Sequence, residues 1–177
     1  MLEIRPLAAI DPPIISQAFR LQGWQKPVSQ YEQYLHEQQA GTRDVLVAQV
    51  EGAFAGYLTI VWESNYPPFK QENIPEIVDF NVLEKFQRQG VGTALMDGAE
   101  AKVFERSAIG EAKVGIGVGL MHDYGKAQIL YAKRGYVPDG RGIFAHGRWL
   151  GYGDKIVIND DVALYLTKQL VQRGINS

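Results

Sequence analysis

The chain has 177 residues, 46% of them hydrophobic and 21% charged, which is ordinary usage for a globular protein long enough to bury a real core. A net charge of −2 leaves no basic footprint, no apolar run approaches a membrane span, and Met1-Leu2-Glu3-Ile4-Arg5 lacks the order of a signal peptide. Nucleic acid and membrane are therefore not the expected partners, a cytoplasmic location is expected, and the absence of cysteine excludes disulfides, thiolate metal sites and a covalent acyl-cysteine step.

Leu2-Glu3-Ile4-Arg5 reads as a first strand, closed by Pro6. Asp11-Pro12-Pro13 then opens a helix through Ile14, Ile15, Ala18 and Phe19, because proline is tolerated in a first turn whose N–H groups are unpaired anyway. Ser29-Gln30-Tyr31-Glu32 has capping-box spacing before a second helix that stops near Gly41. Residues 45–50 and 53–62, separated by Glu51-Gly52, read as an antiparallel hairpin. A loop carrying Asn65-Tyr66-Pro67-Pro68-Phe69 leads to a strand over 77–82. The next helix carries Val91, Leu95, Ala99 and Val103 at four-residue spacing, with Gly98 inside it at a cost of about 1 kcal/mol relative to Ala that the sequence leaves unexplained.

Residues 112–118 form the following strand, and Asp123 is the expected cap of a helix ending at Lys133-Arg134-Gly135. Strand, helix, strand and helix in this order imply a parallel pair with a crossover. Asp139-Gly140-Arg141-Gly142, Gly147, Gly151 and Gly153 then punctuate a long connection before a last strand over 163–167. Its length lets it reach over an acceptor site or a homodimer interface.

Gln87-Arg88-Gln89-Gly90-Val91-Gly92 lies between a strand ending at Val82 and a helix continuing through Thr93. Glycines permit a tight turn that leaves N–H groups unpaired in front of a helix amino end, and an anion such as a pyrophosphate fits there. Gly115-Ile116-Gly117-Val118-Gly119 is not a second such loop, because a dinucleotide fingerprint needs glycine where Leu120 stands. His36, His122 and His146 show no metal-ligand spacing, so no metal is expected.

The hexapeptide resembles the acetyl-CoA loop of the GNAT superfamily of N-acetyltransferases, and Ala127-Gln128-Ile129-Leu130-Tyr131-Ala132-Lys133-Arg134-Gly135-Tyr136 is similar to that family's A-x-x-L-Y-x-x-x-G-F/Y segment. The resemblance covers residues 76–136 well and the flanks in element order. It implies one GNAT-like acetyltransferase domain over 1–177, α/β (α+β), with a mixed, mostly antiparallel sheet, a central splayed parallel strand pair and flanking helices. By the same resemblance Phe80, Asn81 and Val82 pair with the pantetheine arm. The phosphates are held by the loop of Gln87, Arg88, Gln89, Gly90, Val91, Gly92 and Thr93. The small residues Gly115, Gly117 and Gly119 would leave room for that arm.

The implied activity is direct transfer from acetyl-CoA to a primary amine of a small molecule or peptide. A lysine-like amine is neutral at pH 7 only at a cost of about 4.6 kcal/mol, so a base or an apolar site is needed. Tyr131 stands where the family carries its general acid, and Glu76 or Asp79 is the candidate base. The family often has asparagine where this chain has Tyr124, so no asparagine contact is carried over; a His122–Asp123 relay is the less expected use of that helix start. Trp24, Trp62, Tyr66 and Phe69 are candidates for an acceptor pocket or for the core. The alternative to catalysis is a non-catalytic acyl-CoA-binding sensor.

Overall fold

The computed structural model describes residues 1–107 and 110–171. Its elements run β1 (Leu2–Pro6), α1 (Asp11–Leu21), α2 (Val28–Gln39), β2 (Arg43–Val50), β3 (Ala53–Val61), α3 (Pro67–Gln71), β4 (Glu76–Val82), α4 (Val91–Glu105), β5 (Glu111–Gly119), α5 (Gly125–Lys133), β6 (Val137–Ala145), β7 (Arg148–Trp149) and β8 (Val162–Val171). The strands form one sheet in the order β1-β2-β3-β4-β5-β8-β6-β7. Only β4 and β5 run parallel; the other neighbours are antiparallel. This is the mixed, mostly antiparallel α/β architecture with a central parallel pair that the family resemblance implies.

Local chemistry explains the well-read elements. Glu51 and Gly52 both adopt positive φ, 49° and 78°, as the tight β2–β3 hairpin turn requires. The prolines of α1 occupy its first turn, and the same rule governs α3, where Pro67 and Pro68 open a short helix inside the stretch expected to be loop. No capping box forms at α2, which starts at Val28 behind an extended Pro27 with no side-chain cap, so Ser29 already lies inside the helix. Asp123 likewise does not cap α5: a 3-10 turn over His122–Tyr124 comes first, and no side chain caps the helix.

The first part of the long connection expected after Tyr136 forms β6 and β7, and residues 150–161 lie outside any helix or strand. Pairing of β6 with β8 jumps from Pro138↔Leu166 to Ile143↔Leu164, and Gly140 and Gly142 take φ of 85° and 79° within the interruption. The glycines therefore mark a bulge inside a strand.

On one face of the sheet α4 buries Leu95, Met96, Ala99 and Val103 against Leu46, Leu58, Ile60, Ile77, Ile116 and Val118. Gly98 belongs to this contact, since a Cβ there would lie 3.1 Å from Leu46 Cδ1 and 3.5 Å from Ile4 Cγ2. On the other face α1 and α2 bring Phe19 and Tyr31 over Val45, Val47 and Tyr57. A third cluster joins Tyr66, Phe69 and Ile74 to Phe144 and Tyr165. It also corrects the expectation for the glycines of β5. The place a Cβ would take is filled by the ring of Phe69 at Gly115, by Tyr165 at Gly117 and by Tyr124 at Gly119, so on that side these glycines accommodate the chain's own aromatic rings.

Candidate active site

Strands β4 and β5 pair at only two positions, Glu76↔Gly115 and Ile77↔Ile116, and then diverge. A groove of about 960 Å³ opens where they part, walled by residues 77–82 on one side and by Ile116 and Gly117 on the other. Tyr124, Ala127, Leu130 and Tyr131 form a further wall.

A bulge in β4 shapes the first wall. Its register with β3 jumps from Thr59↔Val78 to Tyr57↔Asn81, and Asp79 within the jump has a φ of 48°. The interruption resets the alternation: Ile77 packs in the core under α4, whereas the Asp79 side chain meets residues of α2 and β3. Its Oδ2 accepts from Tyr57 Oη at 2.6 Å, Tyr34 Oη at 2.9 Å and Gln30 Nε2 at 2.9 Å. Its Oδ1 accepts from Asn81 Nδ2 at 2.8 Å and Lys26 Nζ at 3.2 Å. Burial first, with Asp79 nearby, raises both tyrosine hydroxyls, Tyr34 to about 12 and Tyr57 further still, so both stay protonated as donors.

At the other end, α4 begins after Gly90, whose φ of 81° is left-handed, and no side chain caps the helix. Its first-turn N–H groups are left without an intrahelical partner and carry the positive end of the helix dipole. Gly92 and Thr93 are on the groove wall, and a Cβ on Gly92 would lie 3.2 Å from Phe80 Cζ. Two cations, Arg88 and Lys126, line the same end; Lys126 Nζ donates to Gln87 Oε1 at 3.2 Å, and Gln87 Nε2 donates to the Val82 carbonyl at 3.3 Å. These features suit a polyanion such as a pyrophosphate. The side chain of Val91 is core, that of Gln89 donates to the Lys85 carbonyl, and neither residue lines the groove.

Of the three candidate catalytic side chains, Tyr131 and Asp79 line the groove and Glu76 does not. Tyr131 is 5% exposed, and burial, reinforced by Tyr124, drives its hydroxyl upward. Glu76 is buried with Oε2 accepting from Ser64 Oγ at 2.5 Å; burial raises its carboxyl and the Ser64 bond opposes the rise. Of the aromatic residues proposed for an acceptor pocket, Trp24 lines the groove, stacked on Phe19 at 5.7 Å. Trp62 instead donates to Asp44, and Tyr66 and Phe69 are core. Tyr124, at the position where the family often has asparagine, also reaches the groove, as do Lys26, Lys126 and Asp160, which the sequence does not single out. They come from connections and helix ends, where no periodic pattern announces them.

Residues 13–136 match the model of the acetyltransferase (GNAT) family, and the chain belongs to that family. Similar solved structures include the ribosomal-protein-S18-alanine N-acetyltransferase of Escherichia coli, 15% identical with a TM-score of 0.67, covering 100% of this chain and 99% of that one. The ribosomal-protein-alanine N-acetyltransferase of Brucella melitensis is 18% identical with a TM-score of 0.68 over 95% and 99%. A Salmonella typhimurium chain described as an acetyltransferase, solved with its cofactor acetyl-CoA, is 16% identical with a TM-score of 0.66 over 99% and 98%. At such identities the likeness shows a shared fold. No curated protein sequence matches significantly. Among the described residues no helix is long and apolar enough to cross a membrane.

Proposed function

We propose that this chain is an acetyl-CoA-dependent N-acetyltransferase that moves an acetyl group directly to a primary amine of a small molecule or peptide, its whole length acting as one domain. The observation that carries this proposal is the groove at the β4–β5 divergence, which is lined both by the uncapped end of α4 and by Tyr131. Membership of the acetyltransferase family and the acetyl-CoA held by the Salmonella typhimurium neighbour support it.

The phosphates fit the α4 end, where the backbone N–H groups of residues 88–93 and the cations Arg88 and Lys126 offer positive charge, with Gln87 and Gln89 flanking the turn. Phe80, Asn81 and Val82 follow the last β4–β5 pair, so the β4 edge there is free to pair with the pantetheine arm. When bound, acetyl-CoA supplies an acetyl group activated as a thioester. Tyr131 stays protonated and is the proton donor to the departing sulfur. Asp79, on the groove wall, is favoured over the enclosed Glu76 to orient the amine and receive its proton.

The test is calorimetric titration with acetyl-CoA, followed by a thiol-release screen against amines, amino acids and peptides. Binding with turnover on one amine class is expected, and Tyr131→Phe should lower turnover by about 10²-fold or more while sparing acetyl-CoA affinity. Absence of binding would overturn the proposal.

A further inference from the structure

Asp79 receives more donors than its carboxylate has places for. Tyr57, Tyr34, Gln30, Asn81 and Lys26 all donate to it, whereas a carboxylate offers about four lone-pair sites. An amine entering the groove therefore reaches Asp79 only by displacing a group already there. Four of the donors are neutral and sit on α2, β3 or β4. Lys26 is the exception: it is charged, its bond of 3.2 Å is the longest of the five, and it lies on the irregular connection between α1 and α2 beside a left-handed Gly23.

The surroundings of the Lys26 head are those of a cation site. Its Nζ donates to Tyr57 Oη at 3.1 Å and to Asp79, and it stands 5.4 Å from the Phe19 ring centre and 5.7 Å from that of Tyr57. Lys26 and Asp79 both line the groove, with side chains 18% and 21% exposed. One carboxylate, one hydroxyl and two ring faces enclose a primary ammonium on an unbranched stem.

We infer that Lys26 occupies the position of the acceptor's own ammonium, so that the acceptor is a primary alkylamine with an unbranched stem and Lys26 is the specificity-determining side chain it must displace. This rests on the N-acetyltransferase proposal. The exchange is like for like: the incoming ammonium takes over the contacts to Asp79, Phe19 and Tyr57, while the Lys26 head returns to water. Acceptors that are uncharged at neutral pH, such as arylamines, cannot replace an ammonium at Asp79. Removing the Lys26 charge should empty the site for an outside ammonium.

The probe is n-butylammonium, titrated at fixed ionic strength without acetyl-CoA, with binding followed by NMR and folding checked by thermal denaturation. Lys26→Met and Lys26→Ala should bind it about tenfold or more tighter than the wild-type chain, and adding Asp79→Asn should cancel the gain. Lys26→Arg, which keeps a cation in place, should behave as wild type. In the wild-type chain, near-saturating n-butylammonium should shift the Lys26 ammonium resonance, a readout that needs no variant. Folded Lys26→Met and Lys26→Ala chains that bind no better than wild type, or an unmoved Lys26 resonance, would overturn the inference. A parallel titration with acetyl-CoA separates the two failures: loss there strikes the transferase proposal, and an unchanged n-butylammonium response strikes only the role of Lys26.

Discussion

The hydroxyl of Tyr57 donates to Oδ2 of Asp79 at 2.6 Å, tying the middle of β3 to the bulge in β4 that shapes the groove wall. The Tyr57 oxygen accepts from Tyr31 at 3.3 Å and Lys26 at 3.1 Å, so one phenol connects α2 and the α1–α2 connection to the central strands. Tyr57 is fully buried, which makes these bonds expensive to leave unmade.

Tyr57→Phe keeps the ring and removes the oxygen. A hydrogen bond to a charged group contributes about 1.5–3 kcal/mol, and urea denaturation should report a loss in that range. In steady-state assays the acceptor KM should rise more than the acetyl-CoA KM, because Gly90 and Gly92 lie outside this network. Equal changes in both would mean that Tyr57 supports the fold without shaping the acceptor side.

The sequence made legible what local chemistry decides. Glycine at position 90 ahead of a stripe of Val91, Leu95, Ala99 and Val103 marks a left-handed turn into an amphipathic helix, and the structure has both. The Lys26–Asp79 pair joins residues 53 apart through a bulge that no periodicity marks. The glycines of β5 show a different limit. Alternating small residues make room on one strand face, but whether a ligand or a ring fills that room is decided by Phe69, Tyr165 and Tyr124, on other elements. β6 escaped because Asp139-Gly140-Arg141-Gly142 interrupts its alternation.

Glu76 should make stability pH-dependent. Burial holds its carboxyl above the ordinary value of 4.5, the hydrogen bond from Ser64 acting the other way, so the folded chain keeps this proton to higher pH than the unfolded chain does. Between 4.5 and the raised folded value each increment of pH removes stability, and above that value the cost of a buried charge is present in full. Glu76→Gln has no charge to bury and can still accept from Ser64. It should melt above wild type at about pH 8, the gap closing as pH falls to about 4, and with Asp79 as the base it should retain turnover. A gap that widens toward acid in paired melting curves would refute the raised carboxyl.

Gly115 and Gly125 should respond oppositely to alanine. Phe69 is buried over Gly115 and wedged against Tyr66 and Tyr165 at ring distances of 4.9 and 5.5 Å, so it has little freedom to move aside. Gly115→Ala should cost about 1–3 kcal/mol as overpacking. Gly125 opens α5 with a helical φ of −55° and has nothing within 4 Å of a built Cβ. Gly125→Ala should therefore gain about 0.4–1 kcal/mol, chiefly by restricting the unfolded chain. Chemical denaturation of both variants reads the two signs directly.

Gly90 separates backbone strain from anion binding. Its φ of 81° is left-handed, yet a Cβ there would meet nothing within 4 Å, so an alanine brings strain without collision. Gly90→Ala should lose about 1–2 kcal/mol of stability and keep acetyl-CoA affinity close to that of the parent. Gly90→Glu carries the same strain and adds a carboxylate at the amino end of α4, where it competes with the phosphates for the same N–H groups. Its acetyl-CoA affinity should fall by about tenfold or more relative to Gly90→Ala, and part of the lost stability should return because the new anion favours the helix end. Equal affinities for the two variants in calorimetry would remove the α4 end from the phosphate site, since they share the strain and Glu adds both bulk and negative charge there.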